Sequence, residues 1–457
     1  MHKTLKLLLS LAVALFLLAC TTDSSTSGNS TKYTVGGTVS GLGTGQVVSL
    51  KLVGDGGALD NQNVSSSGAF TFGPLLSSGV VYQVTVETQP RGQVCTVTNG
   101  SGTLAQVNVT SVTINCVNQG FVVYVTQEMT GTVVGYRIDN QGGDLMEAIP
   151  SVSTGTGTLP APKGIAVATN GKYAYVTNEG INTVAAFSID AATGALTSVG
   201  STPTKAGPLG VAVDPAGKFV YVAEALAEKV SSYAVNPTTG GLTFAKSTVP
   251  ADTSDPVIGV SLAVAPSGDF VYYASGYDGS TGSLRVDRTS GALTFVSEWA
   301  GISQTTHQIV VHPGGKFAYV GLGAFDQATG HVIVLALNSV SGGMTQASIA
   351  DITGIVRGVA VDPTGKYLYA IESKNNLIYA YSINAASGAL TRIGSTIATG
   401  TSPEGVTVDR GGKFVYVANG GSHTLSMYEI NAATGVLSGG GLRRTGDNTQ
   451  PFAITSF

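Results

Sequence analysis

From residue 120 onward the chain repeats one pattern: a Gly-Val-Ala-Val-type segment, a tight turn such as DPAGK (214–218) or DPTGK (362–366), a tyrosine-bearing segment, a further alternating segment, a TGAL-type turn and a last segment. Tyr124, Tyr175, Tyr221, Tyr272, Tyr319, Tyr369 and Tyr416 index the copies, at intervals of 51, 46, 51, 47, 50 and 47 residues. Turns that set Asp or His before Pro, with Gly where a positive φ is needed, suit hairpins between strands. A period of this length signals a stacked or radial array, because a single four-stranded sheet cannot bury both faces without neighbours. Four strands per unit and seven units predict an all-β fold, a seven-bladed β-propeller. The 62 glycines and only 11% charged residues fit many short strands joined by turns.

The arithmetic leaves one strand over. GK-type turns number six, at Gly171, Gly217, Gly268, Gly315, Gly365 and Gly412, so the first copy starts on its tyrosine segment, FVVYVTQ (121–127), with no partner before it. The chain ends PFAITSF (451–457), the opening half of a unit. Pairing that end with the first copy closes the ring and removes edges that invite aggregation. The propeller is thus expected over 119–457, closed by strand 451–457.

YVTN (175–178), YVAN (416–419), SIDAATGALT (188–197) and SINAASGALT (382–391) resemble the YVTN-type seven-bladed propellers, over about 340 residues. That group is similar to the β-propeller lactonases, whose members include 6-phosphogluconolactonases and muconate cycloisomerases. A propeller places function at one channel mouth, on segments leading into the innermost strand and out of the aromatic strand. Head positions, six residues before the Pro-type turn position, are Lys163, Leu209, Val260, His307, Arg357, Glu404 and Phe452. Tail positions, three after the indexed Tyr, are Gln127, Asn178, Glu224, Ser275, Leu322, Glu372 and Asn419.

Lys163, Glu224, His307, Arg357 and Glu404 are therefore expected to bind a ligand. An Arg holds a carboxylate or phosphate bidentately, and a His titrates near neutral pH. The lactonase resemblance implies His307, Arg357 and Glu372 as catalytic residues. The lactonase head motif is Pro-Arg-His; here Arg357 is flanked by Val356 and Gly358, and Glu372 sits one place earlier than the family's acidic residue. His307 occupies the Arg place of its own blade, not a family His place. The Asn of YVTN is expected to form a turn. His312 stands in the Asp place of a hairpin turn and reads as structural, His331 and His423 as exposed polar residues in or beside exit loops, and the seven tyrosines as packing between blades.

The N-terminus reads as targeting. His2, Lys3 and Lys6 precede an apolar run, LLLSLAVALFLL (7–18), too short to favour a spanning helix. LLAC (17–20) resembles a bacterial lipobox, which makes residues 1–20 a lipoprotein signal and Cys20 the lipid attachment site; an ordinary secretory signal is the alternative. Thr21 in place of Asp favours the outer membrane. TTDSSTSGNST (21–31) is a polar tether. Residues 32–118 show strand alternation with glycine turns, as in a small β-sandwich, and QPRGQVCTVTNGSGT (89–103) resembles an Ig-like repeat domain of bacterial surface proteins. Exported thiols pair, so Cys95 and Cys116 are expected to form a disulfide, with two buried free thiols the alternative.

A net charge of −4 and the absence of a basic run after the N-terminus give no footprint for nucleic acid. No metal-ligand spacing, nucleophile elbow or phosphate loop stands out, so neither metal nor cofactor is expected. The sequence alone puts first a lipid-anchored envelope module that binds a protein, glycan or small carboxylate at the channel mouth. The alternative is a lactonase-like hydrolase acting on a sugar-acid or related lactone.

Overall fold

The computed structural model describes residues 31–457 apart from 44, 56, 91–92, 119–121, 140–142, 158, 249–258, 277–278, 302–303, 324–328, 447–448 and 457. The signal, Cys20 and the tether through residue 30 lie outside the described residues. No α-helix occurs among the described residues; two single turns of 3₁₀ helix, Glu179–Ile181 and Ala225–Ala227, interrupt an otherwise all-β chain.

Seven four-stranded antiparallel sheets follow one another from residue 122. In blades 2 to 7 the strands run in chain order from the innermost outward; the innermost strands are Pro162–Val167, Pro208–Val213, Gly259–Val264, Thr306–Val311, Val356–Val361 and Pro403–Val408. Blade 1 takes its innermost strand, Pro451–Ser456, from the far end of the chain, paired antiparallel with Val122–Gln127 through Tyr124↔Thr455 and Val125↔Ile454. Each innermost strand contacts the next around the ring, including Pro162–Val167 against Pro451–Ser456.

The apolar core lies between the blades, one cluster at each of seven interfaces. Tyr369, Ile371 and Val417 belong to the interface of blades 6 and 7, and Val123, Tyr416 and Ile454 to that of blades 7 and 1. All six residues of every second strand are buried, YVTN-type motif included. A strand with a neighbour on both faces is buried on both, which is why these segments are largely apolar and do not alternate, with polar residues kept to their ends.

The tyrosines pin one blade to the next. Tyr124 donates its hydroxyl to the Gly194 carbonyl (2.6 Å), Tyr175 to Gly240 (3.1 Å), Tyr319 to Gly388 (3.2 Å), Tyr369 to Gly435 (3.0 Å) and Tyr416, across the closure, to Gly143 (2.8 Å). The acceptor is each time the glycine of the following blade's TGAL-type turn. Gly388 shows why glycine is needed there: its φ is +72°, and a Cβ would lie 2.5 Å from the Phe317 ring.

Ahead of the propeller stand two four-stranded sheets. One runs Gly68–Thr71, Val35–Ser40, Val109–Asn118, Gln93–Thr98; the other Gly57–Val64, Val48–Gly54, Val81–Thr88, Ser101–Thr103. Val39, Ile114, Leu50 and Val84 bring both sheets into one core. Cys95 and Cys116, directly opposite on adjacent strands, form a disulfide.

Candidate functional site

The head residues owe their placement to one irregularity that recurs in every blade. Where the innermost strand pairs with the second, the register slips by one residue. Thr306 opposes Leu322 and Gln308 opposes Gly321, so His307 is the extra residue. Val356 and Gly358 bracket Arg357, Pro403 and Gly405 bracket Glu404, and Gly259 and Ser261 bracket Val260 in the same way. In the other three blades the slip spans Lys163–Gly164, Leu209–Gly210 and Phe452–Ala453. Such a β-bulge leaves its extra residue outside the ladder and re-aims the side chain. All seven head residues line one cavity of about 590 Å³ on the propeller axis.

The bulge also needs room. A Cβ on Gly164 would sit 2.5 Å from the Leu209 carbonyl oxygen, and one on Gly405 2.8 Å from that of Phe452, so the glycine after the head residue admits the neighbouring blade's backbone. Two head carbonyls are bonded by a threonine of the preceding blade: Thr126 Oγ1 donates to Lys163 O (3.0 Å) and Thr177 Oγ1 to Leu209 O (2.6 Å).

Around the ring the chemistry is uneven. Arg357 Nε stands 3.9 Å from Glu404 Oε2, an ion pair too long for a hydrogen bond, with both side chains mostly buried. Burial raises the Glu404 carboxyl above its ordinary pKa, while Arg357 and Lys163 pull it back down and Glu128 adds to the rise. His307 donates from Nε2 to the Gly323 carbonyl at 3.2 Å, since a carbonyl can only accept, which leaves Nδ1 as the acceptor. Burial first, and then the Arg357 charge, push its imidazole down to about 4, so the ring is neutral at pH 7. Lys163 is held by Glu128 at 2.6 Å and Glu179 at 3.4 Å, and its ammonium lies 4.5 Å from the Phe452 ring centroid. Leu209 and Val260 complete the circle as an apolar arc.

The tail positions are placed elsewhere. Glu372 and Glu224 are 0% exposed and do not line the cavity. Glu372 accepts the backbone N–H groups of Ile355 (3.1 Å) and Asn375 (2.8 Å). Glu224 accepts from Lys205 N–H (2.8 Å) and the Ser231 hydroxyl (2.6 Å). These carboxylates fasten the loop that brings the chain into the blade, so neither the catalytic role expected for Glu372 nor the ligand-binding role expected for Glu224 has access to the cavity. The asparagines do the same work: Asn178 Nδ2 donates to Thr154 O (2.8 Å), and Asn419 Oδ1 accepts Gly400 N–H (3.1 Å). The Asn of YVTN is a buried brace, not a turn former. Its signal in the sequence is the run of mostly apolar, non-alternating residues before it, which places the whole strand inside.

The remaining histidines hold structure together. His312 accepts Gly314 N–H at Nδ1 (2.8 Å) and donates from Nε2 to Gly365 O of the next blade (2.9 Å). His423 Nδ1 accepts Gln450 N–H at 3.1 Å and so ties the closing segment to blade 7, and His331 pairs with Asp351 at 2.9 Å. Among the described residues no group of three or more His, Cys, Asp or Glu is placed to hold a metal ion.

Seven sheets about an axial cavity, each delivering one bulge side chain to it, define a β-propeller with a candidate site at the channel mouth. The chain belongs to the lactonase, seven-bladed β-propeller family, which it matches over residues 114–259 and 353–448. Among solved structures it is similar to the periplasmic gluconolactonase of Pseudomonas aeruginosa, at 18% identity and a TM-score of 0.62, covering 74% of this chain and 98% of that one. A candidate 6-phosphogluconolactonase of Bacteroides fragilis aligns at 18% identity and a TM-score of 0.60, covering 74% and 98%. A protein of Lactobacillus plantarum aligns at 19% identity and 0.60, covering 74% and 99%. At these identities the likeness is one of fold. No curated protein matches the sequence.

Proposed function

We propose that the chain is a hydrolase of small anionic lactones, working in the axial cavity with Arg357 and Glu404 at its centre. The observation that carries this reading is the Arg357–Glu404 pair on two adjacent bulges in the cavity wall. Membership of the lactonase family supports it and moves it ahead of the binding-module reading. In the reaction, Glu404 takes a proton from water, the water oxygen bonds to the lactone carbonyl carbon, and the ring C–O bond breaks. The proton then passes to the leaving alkoxide, giving a hydroxy acid. A carboxyl whose basicity burial raises while a guanidinium beside it favours the charged form suits the base; Arg357 supplies the positive charge for the carboxylate substituent and the developing oxyanion. His307 is a weaker base than its residue type suggests, because burial and Arg357 disfavour its charged form. Its part is to accept a substrate hydroxyl at Nδ1.

The protein's place in the cell is part of the same proposal: lipidation at Cys20 would hold it to the envelope, with the outer membrane favoured by Thr21, and the two-sheet unit would act as a spacer. Two acyl signals or more anchor a protein stably. Turnover of a lactone panel, measured for the parent and for Arg357→Ala and Glu404→Gln, tests the enzymatic reading; no hydrolysis of any lactone by the parent would end it. Fractionation of Cys20→Ala tests the anchor, and a variant that stays membrane-bound removes it.

A further inference from the structure

The ring of head residues is divided, and the division points to a substrate class. Arg357 belongs to blade 6 and Leu209 to blade 3, three places apart, the greatest separation a seven-membered ring permits. Val260 in blade 4 extends the apolar side. His307, Arg357 and Glu404, in blades 5, 6 and 7, make the polar side; Phe452 in blade 1 and Lys163 in blade 2, its ammonium held by Glu128 and Glu179, lie between the two arcs, and all seven line the same cavity.

The polar side chains one step deeper offset the apolar arc only in part, because their acceptor oxygens are engaged in stitching innermost strands together. Ser261 Oγ accepts Ile309 N–H at 3.3 Å, and Gln308 Oε1 accepts Val359 N–H at 3.0 Å. Their neighbours on the same wall are Val211, Leu262 and Ile309. Backbone groups of the innermost strands are offered equally all round the channel, so discrimination falls to side chains. A polyol laid against blades 3 and 4 would find the Ser261 hydroxyl as the one polar side chain for its several hydroxyls, and a site with so few partners selects against polar groups. An alkyl group there loses water from its own surface and from Leu209 and Val260.

We infer that the cavity takes an amphipathic carboxylate, an acid or lactone with its anionic group at Arg357 and an alkyl part against Leu209 and Val260, in preference to a polyhydroxylated sugar acid. This rests on the bulge ring being the ligand site and deepens the reading given above.

Calorimetric titration of the full chain with butanoate, hexanoate, octanoate and gluconate tests the inference without requiring turnover. Affinity is expected to rise about fourfold per added methylene, and hexanoate to bind more tightly than gluconate. Leu209→Asn is expected to flatten the rise with chain length, and Arg357→Gln to weaken every carboxylate alike. Val260→Thr, which keeps shape and changes polarity, gives a second reading if Leu209→Asn fails to fold. Tighter binding of gluconate than hexanoate, an affinity independent of chain length, or no binding of any alkanoate overturns the inference. A chain-length gradient without lactone turnover upholds it while removing the hydrolase reading, and turnover with a flat gradient does the reverse.

Discussion

Arg357 Nε and Glu404 Oε2 face each other at 3.9 Å across the boundary between blades 6 and 7, each carried there by the extra residue of a β-bulge. The pair couples a cation to a carboxyl whose pKa burial raises, and several consequences can be measured.

Glu404→Gln removes the base and retains volume. Turnover is expected to fall about a hundredfold or more, the usual worth of a positioned general base, with a melting temperature close to the parent's. Full activity in this variant would exclude Glu404 as the base.

Arg357→Ala shifts the pH profile. The base works only when ionised, so the rate falls on the acid side through the pKa of Glu404. Arg357 holds that value below what burial alone would set. Without it the acid limb of kcat/KM should move to higher pH, and an unmoved limb would mean that another group governs the profile.

His307 makes stability fall with acid. Its pKa is about 4 when folded and 6.5 when unfolded, so the unfolded chain takes up the proton first. The stabilisation is fully present above pH 6.5 and is lost as the pH drops toward 4. Between pH 7 and pH 4.5 the parent should lose roughly 2 kcal/mol more than His307→Gln. Denaturant melts of both at the two pH values read this directly; equal losses would contradict the shift.

Tyr416→Phe and Tyr221→Phe form a matched pair. The Tyr416 hydroxyl donates to Gly143 O across the closure, whereas the Tyr221 hydroxyl is buried with no partner among the described residues. Loss of the first bond strands a buried carbonyl and should cost about 1–2 kcal/mol; loss of the second hydroxyl should be neutral or stabilising. Equal effects would deny the tyrosines their clamping role.

Truncation before Pro451 should lower the melting temperature by more than about 10 °C. It bares the edge of Val122–Gln127 and removes Ile454 from the interface of blades 7 and 1. A truncated chain that melts like the parent would require another means of closure.

The repeat itself is legible in the sequence because it reflects local chemistry. Positive-φ glycines such as Gly388, tight hairpin turns of the DPTGK kind and largely apolar second strands recur along the chain, and counting turns against tyrosines reveals the unpartnered strand at 121–127. The same symmetry picks out the head positions, since a position shared by seven units occupies seven equivalent places about an axis. What the symmetry lacks is the direction of a side chain. A strand has period 2, and one added residue turns every later side chain to the other face. The bulge aims Arg357 and Glu404 at the channel, while Glu372, in the regular strand opposite, is turned inward to the backbone of its own loop. Both kinds of residue are charged and both recur at a fixed place in the unit, so composition and spacing cannot separate them. Only the packing of blade against blade decides which carboxylate keeps water and which is committed to holding a loop, because desolvation and hydrogen bonding are properties of the assembled ring.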